Sequence, residues 1–377
     1  MTKIFTLLFV MLVGANAFAQ SVLTLPPNGD NQRSTVTQWI GPVEVKIDYH
    51  SPNVHDPAGN DRTGHIWGEL VHYGLIDQGF GSSKAAPWRA GANENTTISF
   101  SNPVKIEGKD VPAGTYGLFL EVAKEGPWTL ILSKDNGAWG SYFYNPANDA
   151  ARISVNAVDA PYTEFLTYGF DDRLGSSAVA FLQWEKKKVP FKIEVPNVNE
   201  IYVSAMRAQL TSWPGFDVRN YQRAANFCAQ NKINLEEALA WADASMNPNN
   251  GGTEDFQGLS TKANVLMAMG KGAEASAVMD KAIKQPGASV QQIHQYGRTL
   301  LGMGQNQKAL EVFQYNAKTH PEEKFTTFVG LARGYTAVGN KKEAIKNWET
   351  ALKNIPENQK PNMAMYEGEL KKLKEGK

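Results

Sequence analysis

The sequence predicts an α+β chain whose two kinds of structure occupy separate domains: an antiparallel β-sandwich of jelly-roll-like type in front, and all-α stacked helical hairpins behind. Two observations carry this expectation. From Gln20 to about Pro196 apolar residues recur with a period of two, in short runs separated by turn residues. From Asn197 onward the apolar period is helical, and one small motif returns every 34 or 35 residues. A length of 377 residues also exceeds what one ordinary core fills, so two domains are expected on size alone. The expected divisions are a signal peptide over 1–19, a β domain over 20–196 and a helical domain over 197–377.

The N-terminal segment reads as an export signal. Lys3 gives a positive start, Ile4 to Val13 is an apolar core, and Ala17-Phe18-Ala19 is a small-x-small cleavage pattern before Gln20. The core is too short to span a bilayer and no second apolar run follows it, so the sequence predicts cleavage after Ala19 and no membrane span. The mature chain is expected in the periplasm or outside the cell. Cys228 is the only cysteine, which excludes an internal disulfide, and its apolar helical surroundings point to a buried structural thiol. With 38 basic and 38 acidic side chains the chain has no net field to recruit nucleic acid or an anionic membrane.

In the β half, Val43, Val45, Ile47 and Tyr49 alternate with Glu44, Lys46 and Asp48, the pattern of a half-buried strand. Similar runs lie at 96–100, 104–107, 116–122, 128–133, 152–158, 164–170, 178–185 and 189–195. Turn residues separate them, as at Glu107-Gly108-Lys109-Asp110 and Glu125-Gly126-Pro127. No long amphipathic helix interrupts, so nine or ten antiparallel strands are expected rather than parallel βαβ wiring. The stretch from Ser51 to Arg89 fits no strand ladder, and its Trp67, Ile66 and Leu70 predict an ordered, partly buried excursion.

In the helical half, Ala275, Ala309 and Ala344 are spaced 34 and 35 residues apart. Gly270, Gly304 and Gly339 precede them, Met279, Phe313 and Trp348 follow, and Pro286, Pro321 and Pro356 close each unit; Glu237-Ala238 centres a weaker copy. Small alanines let paired helices approach, large residues fill the groove between hairpins, and glycine supplies the left-handed turn. The period and the residues Ala332, Tyr335, Gly339, Ala344, Trp348, Ala351 and Pro356 resemble the tetratricopeptide repeat. The polar segment from Asn362 to Lys374 is then expected as a capping helix.

The β half carries a resemblance of its own. Ile66-Trp67-Gly68-Glu69-Leu70-Val71-x-Tyr73-Gly74, the run from Trp88 to Glu94, Pro112-Ala113-Gly114-Thr115-Tyr116-Gly117-Leu118-Phe119, Trp139-Gly140-x-Tyr142 and Trp184-Glu185 occur in an order that resembles the secreted bacterial family known as domain of unknown function 2911. The match spans roughly residues 30–195. The resemblance implies export, sometimes with tetratricopeptide repeats behind the β domain, and no established activity. His72 stands where the family pattern has proline, and no role is carried over to it.

Candidate function follows from what the patterns contain. Trp88, Arg89, Asn93 and Glu94 crowd an aromatic, a cation, an amide and a carboxylate into one turn between a glycine-rich loop and a strand. Arg89 offers a fork for carboxylates, phosphates or sugar hydroxyls, and Glu94 an acceptor or base; an Arg89–Glu94 ion pair that pins the turn is the structural alternative. His50, directly after a strand, completes the candidate set. His50, His55, His65 and His72 match no zinc spacing, so no metal is assigned. No Gly-x-Ser-x-Gly elbow and no phosphate loop before a helix appear, and no cofactor is expected. The leading expectation is a non-enzymatic envelope protein: the β domain takes a small-molecule ligand, such as a glycan, and the helical repeats take a protein or peptide partner. A hydrolase with its site around Arg89, Glu94 and His50 is the alternative.

Overall fold

The computed structural model describes residues 28–376; the export signal and its cleavage point at Ala19 lie outside them. The chain divides into two compact units between Val198 and Asn199.

The first unit contains ten strands: β1 (Gln32–Ile40), β2 (Val43–Ser51), β3 (Thr97–Phe100), β4 (Val104–Ile106), β5 (Lys109–Val111), β6 (Gly114–Glu121), β7 (Trp128–Ser133), β8 (Asp149–Val155), β9 (Val158–Asp171) and β10 (Ser177–Glu194). They form a six-stranded sheet in the order β1-β2-β3-β6-β7-β8 and a four-stranded sheet in the order β5-β4-β10-β9. Every pairing is antiparallel. The alternation read in β2 is the burial pattern found, with Val43, Val45, Ile47 and Tyr49 all buried. Tyr49 meets Tyr168 of β9 at 4.8 Å between ring centroids, joining the two sheets through their inner faces. Trp184 of β10 is the largest side chain of that core, 1% exposed.

Three details depart from the strand pattern read in the sequence. β1 is a full strand without an apolar signature, because it is an edge and only Ile40 is buried. Lys109–Val111 pairs with β4 instead of forming a turn; the turn is Glu107-Gly108, both with positive φ, which suits the twist of a tight hairpin. The runs at 178–185 and 189–195 fuse into one 18-residue strand. Its register shifts on either side of Glu185, a buried residue at φ 52°, so a bulge replaces the expected break.

The excursion between β2 and β3 is ordered by the sandwich itself. Val54 N–H donates to the Glu164 carbonyl at 2.9 Å, and Leu166 N–H donates to Pro52 at 3.0 Å, so the excursion lies along the outer edge of β9. Arg62 fastens it by donating to the carbonyls of Val54 at 2.9 Å and Asn53 at 2.7 Å. Trp67 and Trp88 turn inward onto Trp184, the first edge-on at 6.0 Å and the second stacked at 6.2 Å between ring centroids.

The second unit is helical: α1 (Val198–Leu210), α2 (Val218–Asn231), α3 (Leu235–Ala244), α4 (Phe256–Ala268), α5 (Gly272–Ala282), α6 (Val290–Gly302), α7 (Asn306–Thr319), α8 (Thr326–Ala337), α9 (Lys341–Lys353) and α10 (Met363–Glu375). Helices α2 to α9 form four hairpins. The repeated alanines Ala238, Ala275, Ala309 and Ala344 sit on the second helix of each and are at most 2% exposed. Gly270, Gly304 and Gly339 turn the last three hairpins with φ between 73° and 80°; Lys232 takes the same left-handed role in the first, at φ 54°. The large repeat residues are placed as the period requires. Phe313 is fully buried against Gly297 of α6 and against Gly330 and Gly334 of α8, whose missing side chains make room for its ring. Cys228 is buried in the core of the first hairpin, and burial pushes its thiol up to about 11, so it stays protonated and unreactive at neutral pH.

Candidate functional site

The turn carrying the sequence-based candidates is shaped by two left-handed residues, Ala90 at φ 52° and Asn93 at φ 54°. They reverse the backbone twice within four residues and send neighbouring side chains to different places. Trp88 goes into the aromatic core and is 8% exposed, so the structure makes it a packing residue of the sandwich. Arg89 is half-buried; its guanidinium donates to the Asn93 carbonyl at 2.7 Å and lies against Trp139 and Tyr142, 5.0 and 5.7 Å from their ring centres. Asn93 is buried and donates from its side chain to the Asn28 carbonyl at 3.2 Å. Glu94 points outward and pairs with His50, Nδ1 to carboxylate 3.3 Å.

The expected Arg89–Glu94 ion pair therefore gives way to two separate contacts: Arg89 with an aromatic pair, and Glu94 with His50. The hydrolase alternative requires Arg89 to face the His50–Glu94 pair, and Arg89 instead serves its own turn and the rings above it. The other three histidines of the region also have partners of their own. His55 lies 3.0 Å from Glu164, His65 3.0 Å from Glu69, and His72 Nδ1 3.0 Å from the Gly74 carbonyl. Its neighbouring carboxylates, Glu164 first, hold His55 above the usual imidazole range, whereas burial holds His72 below it. Among the described residues no group of three or more His, Cys, Asp or Glu side chains is placed to hold a metal ion.

Sequence reasoning missed the aromatic patch beside Arg89. Phe80, Trp139 and Phe143 are 65%, 49% and 60% exposed, and with Tyr142 and Gln78 they line a shallow cleft of about 380 Å³. The rings of Trp139 and Tyr142 are nearly parallel, 7° between planes at 6.1 Å. The signal was present as Trp139-Gly140-x-Tyr142, which places two aromatics three residues apart on a turn; what the sequence lacks is the loop at Phe80 that meets them, 5.4 Å from the Tyr142 ring.

The helical unit offers two further clefts, one on each flank of α6. The first, of about 330 Å³, lies between α4, α5 and α6 and is lined mainly by apolar side chains, among them Phe256, Met267, Met279 and Met303. The second, of about 580 Å³, lies between α6, α8 and α10 and carries Arg298 and Arg333. Gln295 lines both, so the two clefts adjoin across one turn of α6. No helix among the described residues is long and apolar enough to cross a membrane.

Residues 31–193 match the family described as Protein of unknown function (DUF2911). Among solved structures, the helical part is similar to MamA 41-end from Desulfovibrio magneticus RS-1, at 17% identity over 43% of this chain and 97% of that one, with a TM-score of 0.28. It is also similar to YrrB, titled a TPR protein with an unusual peptide-binding site, at 17% identity over 46% of this chain and 84% of that one, TM-score 0.31. At these TM-scores the likeness carries no argument, and the hairpin reading rests on the repeat and its packing. A comparison with curated proteins finds no match. Residues 31–193, which form the ten-stranded sandwich, thus carry the DUF2911 match, and the four hairpins that follow are tetratricopeptide-like repeats by their period and packing.

Proposed function

We propose that the protein is an exported envelope protein whose helical hairpins hold a protein or peptide partner. One observation carries the partner reading: the methionine-lined cleft between α4, α5 and α6 leaves Met267 and Met303 41% and 45% exposed, on a scaffold whose hairpins pack around buried alanines. Flexible thioether side chains around an open apolar cleft accommodate varied apolar anchors, and stacked hairpins present an extended surface to chain segments. Export rests on the Lys3, Ile4–Val13 and Ala17-Phe18-Ala19 pattern; N-terminal sequencing of the mature protein from fractionated cells tests it, and an uncleaved cytoplasmic product refutes it. Partner binding is tested by probing an array of short random peptides with the full mature chain and with Met267→Glu, which puts a charge into the apolar cleft. Binding of a defined peptide set that Met267→Glu abolishes is the expected result; binding indifferent to the variant refutes this cleft as the site.

A second reading concerns the β domain. The exposed Trp139–Tyr142 pair, backed by Arg89 and flanked by Phe80 and Phe143, is a stacking platform suited to the apolar face of a sugar ring. Titration of oligosaccharides against tryptophan fluorescence, with Trp139→Ala as control, tests it. Saturable quenching lost in the variant supports a glycan ligand, and no response to any oligosaccharide removes that reading.

A further inference from the structure

The two sheets of the sandwich end on β1, β8, β5 and β9, and the last three edges are protected. β5 has only three residues, Lys109 Nζ donates to the Arg152 carbonyl of β8 at 3.1 Å, and residues 52–54 lie against β9. β1 differs. Its nine residues run in one unbroken register with β2, contain no proline, lysine or bulge, and pair with no other strand among the described residues. Its outward backbone groups belong to Arg33, Thr35, Thr37 and Trp39. Glu44, opposite Trp39 on β2, turns its backbone to Ser101 instead: its N–H donates to the Ser101 hydroxyl at 2.9 Å and its carbonyl accepts from the Ser101 N–H at 3.0 Å. The Trp39 N–H and carbonyl therefore point away from β2, and the alternation of an antiparallel ladder extends this to the other three. In keeping with it, the Trp39 carbonyl accepts from the Gln38 side chain at 2.7 Å. The same four residues carry the exposed face of the strand, with Trp39 57% exposed.

We propose that β1 is a homodimer interface, pairing antiparallel with β1 of a second copy about a two-fold axis at Val36. This register sets Arg33 of one copy opposite Trp39 of the other and Thr35 opposite Thr37, so every facing pair consists of residues whose N–H and carbonyl both point outward and can be exchanged. The side chains match as well. Arg33 is held by Asp48 at 2.8 and 3.0 Å and stays largely exposed, so its flat guanidinium is already placed beside the incoming indole; the threonines form cross-strand pairs. A slip of one pair step in either direction separates Arg33 from the facing Trp39 and loses that contact. Because the other edges are short or covered, the pairing closes on itself as a dimer and does not propagate. The inference concerns the β domain alone and stands apart from the peptide and glycan readings; such a dimer carries two helical units, which raises avidity for a partner with repeated segments.

Sedimentation equilibrium of the full mature chain over roughly 1–100 µM tests it, and the mass should rise to that of a dimer and no further. Thr37→Pro removes an outward N–H and leaves the β1–β2 ladder intact. The two-fold axis removes that bond twice, so the dissociation constant should rise about thirtyfold with the unfolding midpoint unchanged. Trp39→Lys, which sets like charges opposite each other, should weaken the dimer similarly and serves if the proline disturbs the strand. Cysteine cross-linking reads the register. The two copies of Val36→Cys face each other on the axis and should form an intermolecular disulfide, whereas Thr37→Cys lies out of line with its own copy and should not; Cys228 is buried and does not compete. A chain that stays monomeric throughout, an assembly that keeps growing, or a dimer indifferent to both Thr37→Pro and Trp39→Lys overturns the proposal. Equal cross-linking at positions 36 and 37 overturns its register.

Discussion

The three glycines around Phe313 yield a prediction with a definite sign. Alanine at a helix-interior glycine is ordinarily favourable by about 1 kcal/mol through backbone entropy and helix propensity. At Gly330, however, an added Cβ would lie 2.6 Å from Phe313 Cδ1 and 3.0 Å from His294 Nδ1. The ring is fully buried, with Gly297 and Gly334 closing its other sides, so it cannot swing into solvent. Overpacking of this kind costs about 1–3 kcal/mol, and with Cβ 2.6 Å from a ring that cannot move the upper part of that range applies, which against the propensity gain leaves Gly330→Ala destabilised by up to about 2 kcal/mol. Gly368 of α10 is the control, because a Cβ there meets nothing within 4 Å. Gly368→Ala should be more stable than the parent by about 1 kcal/mol. The two variants therefore shift the helical transition in opposite directions, and urea unfolding followed by far-UV circular dichroism separates them. A Gly330→Ala protein as stable as the parent, with an unchanged denaturant slope, would refute the account of how the repeats pack.

Three further outcomes follow from the packing and charges of the two units. Burial, and then Arg333 and Arg298, push His294 down to about 4 from an ordinary 6.5, so the folded state binds fewer protons than the unfolded one between those values. Stability should be fully present above pH 6.5 and fall by up to about 3 kcal/mol as pH drops through that window; denaturation at a series of pH values should show the slope, and His294→Gln should flatten it. Arg89→Met removes the bond to the Asn93 carbonyl and the cation over Trp139, and should lower β-domain stability by about 1–2 kcal/mol, with a change in tryptophan emission. Trp184→Ala empties the centre of the sandwich and should cost about 3–5 kcal/mol, read as a fall in the β-domain unfolding midpoint, whereas Trp184→Phe should cost less.

The helical half was legible because its packing is periodic: Ala275, Ala309 and Ala344 occupy equivalent buried positions, so the contact repeats whenever the letter does. The strands with two different faces were legible for the same reason. β1 was not, since an edge strand with little burial leaves no alternation, and β10 was read as two because the bulge at Glu185 interrupts its period without ending the strand. The candidate turn shows a different limit. Arg89 and Glu94 are close in sequence and opposite in charge, which makes an ion pair the simplest reading. Their actual directions depend on positive φ at Ala90 and Asn93, and nothing in an alanine announces a left-handed conformation. Arg298 and Arg333 were illegible for a related reason. They belong to successive hairpins and become neighbours only when the hairpins stack.

The clasp between the excursion and β9 has a consequence for how the protein behaves at high concentration. β9 is 14 residues long and ends its sheet, and Tyr162 and Phe165 project from it into solvent. An uncovered strand of that length, carrying exposed rings, is a template onto which another chain can add. Residues 52–54, held in place by Arg62, occupy the middle of this edge and interrupt the run of backbone groups that an incoming strand would follow. Seen this way, the excursion is a guard against fibre growth. Loss of Arg62, or trimming of the loop to simplify the domain, would leave the sandwich folded and make it self-associate.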